Sequence, residues 1–313
     1  MSCPEVAIII LNWNGLNDTA ECVESLKKLN YENYKVIVVD NGSAGNDVQT
    51  LRERFGDYVH IIENDKNYGF AEGNNIGIRY ALTTLSPDYV LLLNNDTVVD
   101  PEMLTELVKA AESDVNIVLV GPKIYPYTGI NTRSPEENII DQRNLHPLLL
   151  TLIDTFELSL LCNTVLQSEI PQAYLGAFWL KGCALLMKTT VIEKMGLLYS
   201  GYFAFYEETE YCFRCLKAGF TLIEVPTALL WHKGGATAAK VPGLAFYLTT
   251  RNQFLFVARN SNMRGLLRYF GYFVFFRGPL TAYYYIFRND LKSLGIFCRA
   301  VFDGIRYVIT KQS

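Results

Sequence analysis

The sequence predicts an α/β fold, a doubly wound and mostly parallel sheet with helices on both faces. Three observations point there. The stretch EVAIIILN (5–12) is a continuous apolar run with no polar alternation, the pattern of a strand covered on both faces. Further apolar runs alternate with segments of helical length, the order of a parallel sheet whose crossovers are helices. Three of the runs end in polar clusters, LNWNG (11–15), VDNGS (39–43) and NNDT (94–97). In such sheets the ligand crevice lies beyond the carboxyl ends of the strands.

Each element follows from its local pattern. After the first strand, NDTAECVESLKKL (17–29) sets Ala20, Val23, Leu26 and Leu29 at helical spacing, with Asn17 or Asp18 as the expected cap. YKVIVVD (34–40) is the second strand, followed by a helix near 46–55. YVHIIE (58–63) is the third, followed by a helix near 72–85. YVLLLN (89–94) is the fourth, and its helix starts from Pro101, since proline suits a first helical position. Past Pro122 the regularity fades. Residues 125–172 place Pro126, Gly129, Pro135, Pro147 and Pro171 around the amphipathic LLLTLIDTFELSLL (148–161), and read as an insertion or lid over the crevice. Order returns with GCALLMK (182–188), a short helix near 190–195 and a helix reaching about Ala218. The strand FTLIEV (220–225) then leads to WHKGGAT (231–237).

With 50% apolar residues the chain buries a large core, which excludes a disordered protein. Charge is unevenly spread. Residues 1–250 carry 18 Lys/Arg against 30 Asp/Glu, whereas residues 251–313 carry 10 against 2 and hold 15 of the 41 aromatic residues. A basic, aromatic tail fits a membrane interface. Arg268, Arg277 and Arg288 interrupt its aromatic runs before the roughly 20 apolar residues of a spanning helix accumulate. MSCPEVAIII lacks the basic region of a signal peptide, so the expected location is cytoplasmic. Cysteines at 3, 22, 162, 183, 212, 215 and 298 are odd in number and form no framework, which fits reduced thiols without a structural disulfide.

Four constellations carry chemistry. Asn94-Asn95-Asp96 closes a strand with two amides and a carboxylate; this is either an Asx turn or a seat for a hard cation such as magnesium. His232 stands between Trp231 and two glycines, as a metal ligand or a structural histidine, while His60 and His146 receive no role. NYGFAEGNNIG (67–77) offers backbone amides and carboxamides to a nucleobase or phosphate. It is not a dinucleotide fingerprint, which should follow the first strand, and a P-loop lysine motif is also absent. FYEETEYCFRC (205–215) sets three glutamates at a helix start. The macrodipole accounts for one or two of them, but the aromatic GYFAFY (201–206) would desolvate the group and raise a carboxyl's pKa toward that of a general base. Cys212 and Cys215 fit core packing better than zinc or redox use.

In order, IIILNWNG, VVDNGS, NYGFAEGNNIG, LLLNND, LKGCALLMK, FYEETEYCFRCLKAGF, LLWHKGG and YLTTRN resemble glycosyltransferase family 2, and within it the rhamnosyltransferase-like branch. These are inverting enzymes of the Rossmann-like GT-A fold, and the likeness runs from about residue 5 to 260. It implies a catalytic domain over 1–250; the basic, aromatic region over 251–313 reads as amphipathic helices that associate with a membrane, or that complete the core or a dimer interface. Asp40 matches the nucleotide-binding aspartate, with Asn12 and Asn74 lining the base and ribose pocket. Asn94 and Asp96 hold the outer positions of an Asp-x-Asp-like motif that binds Mg²⁺ or Mn²⁺ on the donor diphosphate. Asn94 replaces a carboxylate there, which implies weaker metal binding. His232 matches a later metal or diphosphate ligand. Trp179 and Gly182 match the segment beneath the donor and acceptor sugars, Trp179 being either a stacking face or core. Glu207, Glu208, Thr209 and Glu210 fall on a Glu-Asp-x-Asp motif, with Arg214 one turn later. Glu208 then is the base that deprotonates the acceptor hydroxyl, and Glu207 positions the acceptor or caps the helix. A glutamate for an aspartate moves the carboxylate by roughly 1 Å, and misplacement on that scale costs about 100-fold in rate unless the backbone compensates.

The resemblance implies inverting transfer of a sugar, rhamnose from dTDP-rhamnose or a UDP-hexose, to a hydroxyl of a lipid-linked bacterial cell-surface glycan. It places the enzyme peripherally at the inner face of the cell membrane, without a nucleic-acid partner, and leaves a homodimer as a candidate assembly. Asn94 and Glu208 keep a non-catalytic sugar-nucleotide sensor or scaffold as the alternative.

Overall fold

The computed structural model describes residues 3–127, 179–234 and 241–311. The described residues fall into two compact units, the first containing 3–127 and 179–234 and the second 241–311. The expected lid segment from 128 onward, including His146 and 148–161, lies outside the described residues.

The first unit is built on an eight-stranded sheet in the order β3-β2-β1-β4-β7-β6-β8-β5. Its first half is the parallel sheet that the apolar runs imply: β1 (Val6–Asn12), β2 (Tyr34–Asp40), β3 (Val59–Glu63) and β4 (Tyr89–Asn94). Five consecutive residues from Val6 to Ile10 are fully buried, because helices cover both faces of β1. Burial of each of Val6, Ile8, Ile9 and Ile10 contributes about 1.5–3 kcal/mol. The register brings Asn12 opposite Asp40 and Leu11 opposite Asn94, so the three polar strand ends lie side by side.

The second half of the sheet is mixed. β7 (Ala184–Lys188) runs antiparallel between β4 and β6 (Ile117–Pro126), while β8 (Thr221–His232) is parallel to β6 and antiparallel to β5 (Thr97–Val99). Neither β5 nor β6 is marked in the sequence, because β5 has three residues and β6 is interrupted by Pro122. The structure accommodates Pro122 and Pro226 in one irregularity: Pro122 pairs with Val225 and the next residue, Lys123, with Leu229. Proline removes a ladder donor and is tolerated at such bulges. The strand expected to end at 225 therefore continues to His232.

Helix starts differ from expectation where tertiary contacts override local signals. α1 (Leu16–Leu26) is capped at Gly15 rather than at Asn17 or Asp18. A Cβ at Gly15 would lie 2.5 Å from the Asn95 amide, so only glycine lets this loop approach the fourth strand's end. α2 (Asp47–Phe55) agrees with its pattern, α3 (Gly69–Tyr80) starts three residues earlier than expected, and α4 (Met103–Glu112) starts two residues after Pro101. α3 also packs closer than an ordinary helix, since a Cβ at Gly73 or Gly77 would meet Leu11 or Ile9 at 2.6 Å. α5 (Thr189–Met195) and α6 (Glu207–Lys217) complete the unit.

The second unit is helical: α7 (Leu244–Asn260), α8 (Met263–Tyr272), a π-helical turn over Phe273–Arg277, α9 (Gly278–Phe287) and α10 (Leu291–Lys311). Its core is aromatic. Phe254 meets Tyr269 and Phe273 at centroid distances of 5.5 and 4.8 Å, and Phe273 stacks on Phe297 at 6.0 Å. Among the described residues no helix is long and apolar enough to cross a membrane.

Candidate active site

The site assembles from three clusters at the strand ends of the first unit. The first surrounds Asn12 and Asp40, both buried. Asn12 Nδ2 donates to Asp40 Oδ1 at 2.7 Å and lies 3.1 Å from Asp47 Oδ2, while Thr19 Oγ1 donates to Asn12 Oδ1 at 2.7 Å. Asp40 also accepts from the Ser43 amide (2.9 Å) and hydroxyl (2.6 Å). These bonds lock the VDNGS turn beside the first strand. Asp47 and Thr19 carry no motif signal of their own; their place next to Asn12 arises only from the packing of α1 and α2.

Asn74 is buried and donates to the Phe70 carbonyl at 2.9 Å. The start of α3 does not offer free amides to a phosphate, which corrects that expectation. The amides of Phe70 and Ala71 both point at the Phe203 carbonyl, at 2.5 and 3.2 Å. Gly69, at φ +85°, is required here, since a Cβ would lie 2.5 Å from the Phe203 ring. Asn41 ties the same loop, donating to Gly69 O and accepting from the Tyr68 amide.

The second cluster joins Asn94, Asp96 and His232. His232 Nε2 lies 3.1 Å from Asp96 Oδ1 and 3.5 Å from Asn94 Nδ2. Antiparallel pairing of β5 with β8 sets Thr97 opposite His232, which brings residues 136 apart in sequence together. Burial pushes the Asp96 carboxyl up, but hydrogen bonding and attraction from His232, with Lys233 adding to it, outweigh burial and hold it below the ordinary range. Asn94 Oδ1 is buried without a hydrogen-bond partner among the described residues. An orphaned amide oxygen, an ionised carboxylate and an imidazole suit a divalent cation whose remaining ligands come from a phosphate and water. They are too few for an all-protein cage: the described residues contain no group of three His, Cys, Asp or Glu side chains fit to hold a metal. Lys233, next in the chain, is clamped by Asp18 Oδ1 and Glu21 Oε2, each at 2.6 Å, and pins the end of β8 to α1.

The third cluster is the start of α6. Phe203, Phe205 and Tyr206 all have positive φ, +67°, +67° and +76°. Non-glycine residues in this region cost of order 1 kcal/mol each and persist where surrounding structure imposes them, often at functional sites. The turn delivers Glu207 to a buried position and Glu208 to a half-buried one. Burial raises both carboxyls; for Glu207 the neighbouring Glu208 charge adds to the rise, whereas backbone amides at 208 and 209 moderate it for Glu208. A Cβ on Gly182 would sit 3.1 Å from Glu208 Cγ and 3.2 Å from Cδ, so glycine makes room for the longer side chain. Glu210 does not face the site. Arg214 Nε donates to it at 2.9 Å while the same guanidinium bonds the Leu197 carbonyl at 2.8 Å, bracing the helix against the preceding loop.

Gly182 and Cys183 connect the second and third clusters: Gly182 lies against Glu208, and the Cys183 carbonyl accepts the Asn94 amide at 2.9 Å. Trp179 is 42% exposed, which leaves it available for stacking and is inconsistent with a core role. Cys212 and Cys215 are fully buried, and the Leu180 amide donates to Cys212 Sγ at 3.5 Å, in line with packing.

Residues 7–164, half of the chain, match the family model described as glycosyl transferase family 2. The chain belongs to glycosyltransferase family 2. Relatives agree over most of its length. A low-salt glycan biosynthesis hexosyltransferase of Haloferax volcanii is 26% identical over 261 residues, 82% of this chain and 76% of that one. A dTDP-rhamnosyl transferase of Shigella flexneri is 24% identical over 272 residues, 81% and 80% of the two chains. The fold is GT-A. It is shared with a mannosyltransferase of Pyrobaculum calidifontis in complex with GDP-Man and Mn²⁺ (TM-score 0.57, 14% identity, 97% of this chain and 88% of that one). It is shared equally with S. aureus TarS in complex with UDP-GlcNAc (TM-score 0.59, 14% identity, 97% and 81%). The protein is a nucleotide-sugar glycosyltransferase.

Proposed function

We propose that this family 2 transferase moves a hexose, with inversion, from a nucleoside diphosphate to a hydroxyl of a lipid-linked bacterial cell-surface glycan. The observation that carries the reading is the junction at Gly182 and Cys183, which links a half-buried carboxylate to the Asn94, Asp96 and His232 cluster. Glu208 takes the acceptor proton as the hydroxyl oxygen bonds the anomeric carbon from the face opposite the diphosphate. Asp40 holds the nucleoside and Asn12 and Asn74 line its pocket, while Trp179 and Gly182 underlie the sugars and Glu207 positions the acceptor. The sequence likeness to a dTDP-rhamnosyl transferase supports dTDP-rhamnose as the first donor to test, ahead of UDP-hexoses.

Asp96 is ionised at neutral pH and would repel a diphosphate, so a cation between them is needed. Asn94, Asp96 and His232 would hold Mg²⁺ or Mn²⁺, which when bound supplies positive charge against that developing on the leaving group. A thermal-shift screen of nucleotide sugars is expected to show stabilisation by one donor, about 2.7 kcal/mol at 100 times its Kd, and a larger effect with Mn²⁺ present. No stabilisation by any nucleotide sugar would remove the donor assignment.

The second unit supports a peripheral membrane contact, at the cytoplasmic face where the acceptor lipid is expected. Thirteen of the fifteen exposed large apolar side chains among the described residues lie in it, with Phe275 and Phe276 at 75% and 68% exposure. A net basic charge on the same stretch favours anionic lipid. Sedimentation with phosphatidylglycerol vesicles is expected. Changing Phe275 and Phe276 to serine should weaken it by at least about 100-fold, since two rings at about 1.5–3 kcal/mol each come to about 3–6 kcal/mol. Equal sedimentation of this variant would assign the exposed face to another partner, a second copy of the chain among them.

A further inference from the structure

We infer that Thr19 is a positioning residue: its hydroxyl fixes the Asn94-Asn95-Asp96 turn against the Asn12 and Asp40 pair, and so sets the spacing between the two ends of the donor site. The inference rests on the donor reading above, in which Asp40 serves the nucleoside and Asn94 with Asp96 the diphosphate.

Four buried side chains form one line of hydrogen bonds. Asn95 Nδ2 donates to Thr19 Oγ1 at 3.0 Å, Thr19 Oγ1 donates to Asn12 Oδ1 at 2.7 Å, and Asn12 Nδ2 donates to Asp40 Oδ1 at 2.7 Å. Thr19 and Asn12 are fully buried, and the most exposed of the four, Asn95, is only 7% exposed. The direction of the line is set at its carboxylate end. Asp40 and Asp47 take hydrogens from the Asn12 amide, because a carboxylate only accepts. That turns the Asn12 carbonyl oxygen toward Thr19, and the single hydroxyl proton of Thr19 goes there. The hydroxyl's lone pairs are left for Asn95, whose NH2 group therefore faces Thr19. A hydroxyl gives one bond and receives another at the same atom, which a methyl in its place cannot do.

Helix α1 has no local use for this hydroxyl. A helical threonine commonly bonds a carbonyl three or four residues back, but here the proton crosses to the first strand instead. Gly15, Thr19 and Cys22 follow one another at the spacing of one helix face, and all three meet the same turn. The missing Cβ of Gly15 admits the Asn95 amide, and Cys22 Sγ donates to the Asn94 carbonyl at 3.7 Å. Thr19 adds the bond that continues to Asn12. Asn95 stands between the two residues assigned to the diphosphate, so holding its side chain holds both. A nucleoside diphosphate is one molecule, and its two ends bind together at full strength only if the two clusters already keep their spacing.

Calorimetry with dTDP and with UDP, each in Mn²⁺ and in EDTA, reads the link without turnover. Thr19→Val keeps the branched shape and removes the hydroxyl. In this variant the gain in diphosphate affinity that Mn²⁺ gives the wild type is expected to fall by about 10-fold, the size of one hydrogen bond, while the affinity in EDTA stays near the wild-type value. Thr19→Ser restores the hydroxyl and should recover the gain, even where its melting temperature is lower. A merely structural hydroxyl would lower the melting temperature and weaken binding alike in Mn²⁺ and in EDTA. That result, or an unchanged gain, overturns the inference and leaves the donor reading in place. A wild type that binds neither diphosphate, or gains nothing from Mn²⁺, removes the reading of the donor site and the inference with it. Should Thr19→Val fail to fold, Asn95→Ala cuts the same link at its other end and should show the same loss, and a full gain in that variant overturns the positioning role.

Discussion

Glu208→Gln is expected to lower transfer by about 100- to 10,000-fold, the range that a positioned general base contributes. The substitution keeps the side chain's length and its place over Gly182, so the donor's Kd should stay close to the wild-type value. The variant removes only the ability to accept a proton from the acceptor hydroxyl. Donor hydrolysis and transfer should be measured separately, since water can attack the anomeric carbon with no acceptor seated. Wild-type transfer by this variant would place the base elsewhere. A loss of donor binding equal to the loss of rate would mean that Glu208 holds the donor. The geometry also accommodates a glutamate at this position: with no Cβ at Gly182, its side chain has room at 3.1–3.4 Å from where one would stand.

Asp96→Asn is expected to reduce kcat by about 100- to 1,000-fold, comparable to removing one preorganised group that stabilises developing charge. It should also abolish the extra thermal stabilisation that Mn²⁺ gives in the presence of donor. Asparagine is close in shape to aspartate and can still meet His232, so the fold should hold. The converse change is informative. Asn94→Asp puts a second carboxylate beside Asp96 and should tighten Mn²⁺ binding, measured by calorimetry on the donor complex. Unchanged Mn²⁺ affinity in both variants would mean that neither Asn94 nor Asp96 holds the metal.

Much of the fold was legible because its signals are local. The boundaries of the second and fourth strands, 34–40 and 89–94, agree with the structure, since an uninterrupted apolar run between polar residues has one natural extent. β5 and β6 were not legible. A three-residue strand has no period, and Pro122 reads as a breaker until the bulge shared with β8 shows where its missing donor goes unneeded. Polar residues at strand ends and in motifs, Asn12, Asp40, Asn94, Asp96, Glu208 and His232, stand out in the sequence as candidates. Thr19, Asp47 and Lys233 do not, because each acts through a neighbour far away in the chain, Lys233 on Asp18 and Glu21 at a separation above 200 residues.

The sequence by itself determined the alternation of strands and helices, the family, and which residue types stand at the sheet's carboxyl edge, for these depend on hydrophobic period and on motif order. Only the tertiary structure decided what each polar group faces. The N-terminal amides of α3 bond a carbonyl from residue 203, and His232 reaches Asp96 through an antiparallel pairing with β5. Glu208 rests on a glycine 26 positions earlier. Three acids within four positions look alike in one dimension. Burial, an unpartnered oxygen and an arginine set them apart, because the cost of a charge is set by the dielectric and the donors around it, and these come from distant parts of the chain.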